Sequence, residues 1–224
     1  MKRNFKGLLK LSQAYEKKKW PDYDSYQNKH KDKAIELARK LIEEHYKKQR
    51  PWGLKLDNNR FASQHDVLTD NIIRHAIIRG GDDILKQRRG VCHDLAAARL
   101  KLLKDNGIDA RRLFVDYGDV HFDNGDHELG HSMIVFKGDD GKLHWGNPVM
   151  RDRPKKNFGV FDDMDDAVKQ YIAAIKDSKN LTDDEFVQVF DTTDVPFDDV
   201  ENWENYKKKA LLGKLLFRQS PREK

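Results

Sequence analysis

The chain has one cysteine, Cys92, and its position is compatible with a chemical role. It follows a glycine turn at Gly90 and stands at the first position of a predicted helix. A thiol at a helix N-terminus feels the positive end of the helix dipole, which lowers its pKa and favours the nucleophilic thiolate. Asp94 acts in the opposite direction as a nearby negative charge, although it also suits a first helical turn. A lone cysteine can also be a small buried packing residue, and this segment by itself leaves both open.

A nucleophilic thiol needs a base, and the base needs a side chain that orients it. His131 stands at the start of a predicted strand, and Asn147 directly follows the next strand. If a hairpin joins the two strands, both side chains lie near the same end of it. An oxyanion needs a hydrogen-bond donor, for which the backbone N–H of Cys92 and the side-chain amide of Gln87 are candidates. A plain surface position is the simpler interpretation of Gln87.

The same region holds a competing metal motif. Residues 127–131 read HELGH, which matches the HExxH pattern of zinc proteases. In that pattern the histidines, here His127 and His131, share one helical face and bind zinc, while Glu128 activates a zinc-bound water. The flanking residues do not favour it, because a turn pattern precedes the motif and a strand pattern follows it. A zinc protease built on these three residues is therefore an alternative.

The elements that must position these residues follow from the apolar periodicity. Amphipathic patterns predict helices over residues 31–48, 66–79, 91–106, 164–177 and 199–217. Strands are predicted over residues 112–117, 132–137 and 142–145, with a hairpin turn at the DDG sequence of residues 139–141. The order of helices, a central helix, an antiparallel meander and further helices predicts an α+β fold. His93, about 100° around the helix from Cys92, is predicted at the rim of the site.

These residues resemble the transglutaminase-like superfamily, a branch of the papain-like cysteine enzymes. The similarity extends over about residues 66–178, and its motifs are GVCHDLA at 90–96, GHS at 130–132, DGK at 140–142 and WGNP at 145–148. The resemblance implies a central helix that carries the cysteine against an antiparallel sheet. It also implies that Cys92 is the nucleophile, His131 the base and Asn147 the orienting residue. Members of the superfamily usually have Asp at the third position, whereas papain-like peptidases have Asn.

Charge divides the chain into a basic first part and an acidic later part. Residues 1–60 hold 17 Lys and Arg against 8 Asp and Glu, whereas residues 162–204 hold 3 against 14. The basic residues lie on amphipathic patterns and the acidic part would repel phosphate, so nucleic-acid binding is not expected. We expect a basic helical N-terminal extension over 1–60 that packs on the core, a catalytic core over 61–178 and a helical C-terminal extension over 179–224. These parts are expected to form one compact unit.

Composition excludes several other classes of protein. No apolar run approaches the ~20 residues of a membrane span, and the basic N-terminus lacks the apolar segment of a secretory signal. One cysteine excludes an internal disulfide and four-ligand zinc sites rich in cysteine, and a reducing, cytoplasmic location is expected. The sequence therefore predicts a peptidase, amidase or deamidase that acts on a protein or peptide through a thioester and needs no cofactor. A non-catalytic protein-binding module on the same fold is a further alternative.

Overall fold

The computed structural model describes residues 36–38, 40, 54–56, 61–62, 76–87, 90–122, 125–146, 158–179, 186–197 and 200–219. Its fold is α+β, as predicted. The described helices are α1 (Gly81–Gln87), α2 (Cys92–Asp105), α3 (Met164–Lys179) and α4 (Trp203–Ala210), and residues 36–38 and 40 are also helical. The described strands are β1 (Leu54–Leu56), β2 (Phe61–Ala62), β3 (Ala76–Arg79), β4 (Ala110–Phe122), β5 (Gly125–Lys137), β6 (Leu143–Gly146), β7 (Phe158–Phe161), β8 (Val187–Asp191), β9 (Val200–Asn202) and β10 (Lys214–Gln219).

The described strands form two antiparallel sheets. The larger sheet has the order β10-β8-β4-β5-β6-β7, and the smaller has the order β2-β1-β3-β9. Strands β4 and β5, of 13 residues each, form the centre of the larger sheet. The predicted turn between β5 and β6 is confirmed: Gly141 has a φ of 76°, in the left-handed region that favours glycine.

Successive residues of the two central strands point to opposite faces of the larger sheet. On one face, Tyr171 and Ile175 of helix α3 pack against buried side chains of the two strands, namely Leu113, Val115, Met133 and Val135. On the other face, Ile134 and Phe136 pack against Ala96, Leu100 and Leu103 of α2. Phe114 packs on that face against Trp203 and Tyr206 of α4. The sheet therefore lies between α3 on one side and α2 with α4 on the other.

The predicted helix over residues 66–79 is wrong at its end. Residues 76–79 form β3, which pairs with β1 on one side and with β9 on the other. Ile78 and Arg79 are buried there, so pairing on both edges outweighs the helical periodicity of this apolar stretch. Residues 66–75 lie outside the described residues.

The predicted helix over residues 199–217 is helical only in α4. Residues 200–202 form β9, and residues 214–219 form β10 at the edge of the larger sheet. Gly213 marks the break, because a Cβ at this position would lie 2.5 Å from the carbonyl oxygen of Asp191. The expectation that residues 179–224 are helical is therefore wrong, since β8 and β10 both extend the sheet.

In the N-terminal part, the predicted helix over residues 31–48 is supported where the structure describes it, at residues 36–38 and 40. Ala38 is buried and belongs to the cluster formed by α2 and the central strands. Strand β1 also lies within residues 1–60, so this part is not helical throughout.

Candidate active site

Helix α2 begins at Cys92 because a carboxylate caps its first turn from within. The N-cap residue is Val91, whose side chain cannot accept a hydrogen bond. Asp94 Oδ2 instead accepts from the N–H of Val91 at 3.0 Å, as an acidic residue at the third helical position often does. Gly90 is required before the cap, since a Cβ there would lie 2.6 Å from the Cβ of Asp94. The GVCHD sequence thus fixes where Cys92 stands.

A buried ion pair joins this first turn to strand β3. Asp94 Oδ1 accepts from the backbone N–H of Arg79 at 2.8 Å, and Oδ2 accepts from Nη2 of Arg79 at 3.3 Å. Both side chains are fully buried. Burial raises the pKa of Asp94 to about 6, although Arg79 and the backbone N–H groups act to lower it. Both oxygens of this carboxylate therefore face donors at the junction of α2 and β3.

Cys92 is the first residue of α2, and it is partly buried. This is the position predicted from the sequence, at the positive end of the helix dipole. Three buried tyrosines respond to the charge of Cys92, namely Tyr117, Tyr171 and Tyr206. Burial raises the pKa of each hydroxyl, and the negative charge of the Cys92 thiolate raises it further. The thiol therefore lies within electrostatic reach of three buried hydroxyl groups.

His131 lies on β5, opposite Val115 of β4, and it is partly buried. By strand alternation it shares the sheet face of Met133, which is the face that α3 covers. Its ring centroid is 6.0 Å from that of Tyr171. Tyr171 is therefore a neighbour of His131 and is also within electrostatic reach of Cys92.

The residues that follow Cys92 and His131 in the chain are in direct contact. Nδ1 of His93 and Oγ of Ser132 are 2.7 Å apart. The same Oγ is 3.2 Å from Oη of Tyr206. The start of α2 and the start of the predicted strand at His131 are therefore held against each other by a buried polar chain that ends on α4.

His93 does not lie at the rim of the site, so that prediction is wrong. It is 3% exposed, and three aromatic rings lie within 5.7 Å of its own, those of Phe114, Trp203 and Tyr206. Burial lowers the pKa of His93 well below its usual value, and the charges of His131 and Arg112 act in the same direction. The neutral form of His93 is thus favoured, and the residue is a core side chain in contact with Ser132.

Asn147 and the side chain of Gln87 lie outside the described residues, so their predicted roles stay predictions. The hairpin that leads to Asn147 is confirmed up to Gly146, which pairs with Ile134 of β5. Gln87 is the last residue of α1, and residues 88–89 also lie outside the description. The orienting residue and the side-chain oxyanion donor therefore stay predictions, as do the roles of Cys92 and His131.

The HExxH residues lie on a strand and not on a helix. Strand β5 extends from Gly125 to Lys137 and includes His127, Glu128 and His131. Residues four apart in a strand are separated by about 13 Å, whereas the zinc motif needs them one helical turn apart. The helical zinc-protease arrangement is therefore wrong for this chain. In the described part of the chain, His, Cys, Asp and Glu side chains form no group of three that could hold a metal ion.

Tyr171 is a part of the site that sequence patterns do not reveal. Periodicity places it on the apolar face of α3 among core residues, and it is 1% exposed. Its hydroxyl has no hydrogen-bond partner among the residues that the structure describes. Trp145, predicted in the core, packs edge-on to it with ring centroids 5.6 Å apart. Tyr171 thus places a buried hydroxyl, with no hydrogen-bond partner among the described residues, beside His131.

No family model matches this sequence, and no curated protein matches it. Across the described residues, no helix is long and apolar enough to cross a membrane. The chemistry of the thiol, the imidazole and their neighbours is therefore the basis for assigning a function.

Proposed function

We propose that this protein is a cysteine-dependent enzyme that transfers the acyl group of an amide, on a transglutaminase-like, papain-like core. The observation that carries the proposal is the 2.7 Å contact between His93 and Ser132. These residues directly follow Cys92 and His131, and successive Cα atoms are only 3.8 Å apart. The contact therefore keeps the backbones of the proposed nucleophile and the proposed base close together. The packing of α2 on the central antiparallel strands also fits such a core.

The surroundings of Cys92 suit a thiolate. Helix α2 has 14 residues, so its first turn offers N–H groups and a positive dipole end to the sulfur. Asp94 is the acidic residue of this turn, but its oxygens bind Arg79 and the N–H of Val91. The objection that Asp94 opposes ionisation of the thiol therefore loses most of its force.

In the proposed reaction, His131 takes the proton of the Cys92 thiol, and the thiolate attacks the amide carbonyl carbon. A C–S bond forms and the carbonyl oxygen becomes an oxyanion, to which the backbone N–H of Cys92 donates a hydrogen bond. The C–N bond then breaks, and His131 gives its proton to the leaving amine. Water, deprotonated by His131, hydrolyses the thioester and restores the thiol. Asn147 is proposed to orient the imidazole.

The proposed substrate is a protein or peptide, and hydrolysis by a peptidase or amidase is the first choice. No cofactor is needed, because the thiol, the imidazole and water supply every bond change. An amine in place of water would turn the same thioester into a transfer product. Release of ammonia rather than of a peptide amine would identify a deamidase.

The test uses the single cysteine as its own reporter. We would measure the rate of alkylation of Cys92 by iodoacetamide against pH, by mass spectrometry, in the wild type and in His131→Ala. The wild-type rate should titrate well below the ~8.5 of a free thiol, because a thiolate is stabilised by the helix and by an imidazolium. The His131→Ala profile should shift upwards by about one pKa unit or more, since a nearby opposite charge has this effect.

His144→Ala is the matched control. His144 lies on the neighbouring strand β6, stacks on Phe136 and has Nε2 3.1 Å from Asp140, so its loss perturbs the same sheet without removing the proposed base. Its alkylation profile should match the wild type. A wild-type thiol that titrates near 8.5, or a His131→Ala profile equal to the wild-type one, would contradict the proposal and favour a non-catalytic binding module.

A further inference from the structure

A cavity of about 250 Å³ lies on a different side of α2 from Cys92. Its wall includes Arg79 of β3, Arg112 of β4 and Tyr206 of α4. Helix α2 contributes residues about one and two turns apart, namely His93, Ala97 and Leu100, which share one helical face. Cys92 is about 100° around the helix from His93. The cavity is thus separate from the candidate active site. His93 belongs to both, because it lines the cavity and also contacts Ser132 beside His131.

Arg112 gives this cavity a positive charge, on which the nearby carboxylate of Asp191 acts electrostatically. The residue is 5% exposed, and among the described residues no acid lies within ion-pair distance of its guanidinium. Its Nε and Nη2 both bind Thr192, at Oγ1 and at the carbonyl oxygen, each at 3.1 Å. The guanidinium carbon lies 4.2 Å from the ring centre of Phe197. These contacts fix the orientation of the guanidinium group.

The acidic groups around Arg112 are already bound to other donors. Asp191 accepts from the N–H of Thr193 at 3.0 Å through Oδ1 and from Nη1 of Arg111 at 3.1 Å through Oδ2. Asp94 binds Arg79, the second cation of the wall. No Asp or Glu is among the described residues that line the cavity. The wall therefore presents the buried positive charge of Arg112, and burial of a charge is costly unless an anion offsets it.

We propose that this cavity binds a small oxyanion, a carboxylate or phosphate group, through Arg112. A planar guanidinium matches the oxygens of either group and binds them with short charge-assisted hydrogen bonds. The hydroxyl of Tyr206 also lies in the wall, whereas that of Thr193 donates to Asp191 and is not available to an anion. A volume of about 250 Å³ is below the range of about 300–1,000 Å³ typical for drug-sized ligands. The ligand is therefore a small molecule or one charged group of a larger one.

The test measures thermal unfolding and calorimetric binding at constant pH and ionic strength. The probes are inorganic phosphate and malonate, with chloride as the reference ion. A ligand that binds the native state raises the melting temperature as its concentration increases. We expect phosphate, malonate or both to raise it above the chloride value. The stronger response tells whether the natural group is a phosphate or a carboxylate.

Arg112→Met keeps the length of the side chain and removes its charge, so we expect affinity for the probe to fall at least tenfold. The matched control is Arg111→Met, because Arg111 is the preceding residue, is about half exposed and binds Asp191 outside the cavity wall. Its affinity should equal that of the wild type. Ala97→Leu keeps both arginines and fills the cavity from a helical position that tolerates leucine, and it should also lose binding.

Two results would overturn the proposal. One is a wild-type protein that responds to phosphate and malonate no more than to chloride. The other is unchanged affinity in Arg112→Met or, if that variant does not fold, in Ala97→Leu. Neither result depends on any activity of Cys92, so the anion site and the proposed reaction succeed or fail separately.

Discussion

Replacement of Asp94 should loosen the junction that holds Cys92 in place. The Asp94 carboxylate accepts three hydrogen bonds, two from Arg79 and one from the N–H of Val91. In Asp94→Ala, the fully buried Arg79 guanidinium loses its ion-pair partner, and two backbone N–H groups lose their acceptor. Removal of one member of a buried pair typically costs about 3–5 kcal/mol. For a chain of this size, that loss lowers the melting temperature by roughly 6–20 °C.

Urea unfolding followed by circular dichroism is the assay, with a double-mutant cycle to isolate the pair. Asp94→Asn keeps an oxygen acceptor for the backbone but removes the charge, so it should cost less than Asp94→Ala. Arg79→Met leaves a buried carboxylate that still has two backbone donors. The double variant Arg79→Met/Asp94→Asn should lose less stability than the sum of the single changes, by about 1 kcal/mol or more.

The control is Lys101→Ala on the same helix. Lys101 pairs with Asp105 at 3.1 Å, and both side chains are partly exposed, so loss of this pair should leave the unfolding midpoint nearly unchanged. If Asp94→Ala unfolds within about 1 kcal/mol of the wild type, far below the loss expected for a broken buried pair, the reasoning is refuted. Additive single changes would likewise show that Arg79 and Asp94 do not stabilise each other.

Three further outcomes are expected, each measured by urea or thermal unfolding. Gly130→Ala should cost about 1–3 kcal/mol through overpacking, because its Cβ would lie 2.6 Å from the ring of Phe114; an unchanged midpoint would show that the ring can move away. The wild type should lose stability as the pH falls below ~6.5, by up to ~1.4 kcal/mol per pH unit, and His93→Gln should not show this loss. The pKa of His93 is lowered in the folded state, so the unfolded chain binds a proton first and is favoured as the pH falls. Parallel curves of stability against pH for the two proteins would contradict this prediction. Tyr171→Phe should leave the free energy of unfolding equal or slightly higher, since it removes a buried hydroxyl with no partner among the described residues. A loss of stability above ~1 kcal/mol would instead reveal a hydrogen bond to this hydroxyl.

Strong local signals predict the elements that carry the candidate site. The predicted helix over 91–106 matches α2 within one residue at each end, because its apolar face is wide and Gly107 ends it. The β5–β6 hairpin also follows its local turn signal. Residues 76–79 instead form a strand, because β1 and β9 pair with it from distant parts of the chain. Leu215 and Phe217 pair with β8 in the same way, and Gly213 is the local sign of that break.

The side-chain contacts of the site could not be predicted, since they depend on long-range packing. A histidine next to the cysteine has the same local pattern whether it lines a rim or lies in the core, and α4 decides the outcome for His93. Arg79 and Arg112 meet at one cavity although they belong to different sheets. Neither residue has a sequence neighbour that indicates burial of its charge.

The central position of β4 has a consequence for the order of folding during synthesis. Val115 lies opposite His131 in a local hairpin, but on its other side it lies opposite Val189. The hairpin can therefore form while β8 and α4 are still untranslated, since nascent chains fold from the N-terminal side and non-local pairs form late. The rings of Trp203 and Tyr206 that enclose His93 arrive after that. An incomplete chain would thus contain Cys92 and His131 before the aromatic packing around the neighbouring His93 exists, so the surroundings of the proposed site would be completed only after α4 is made.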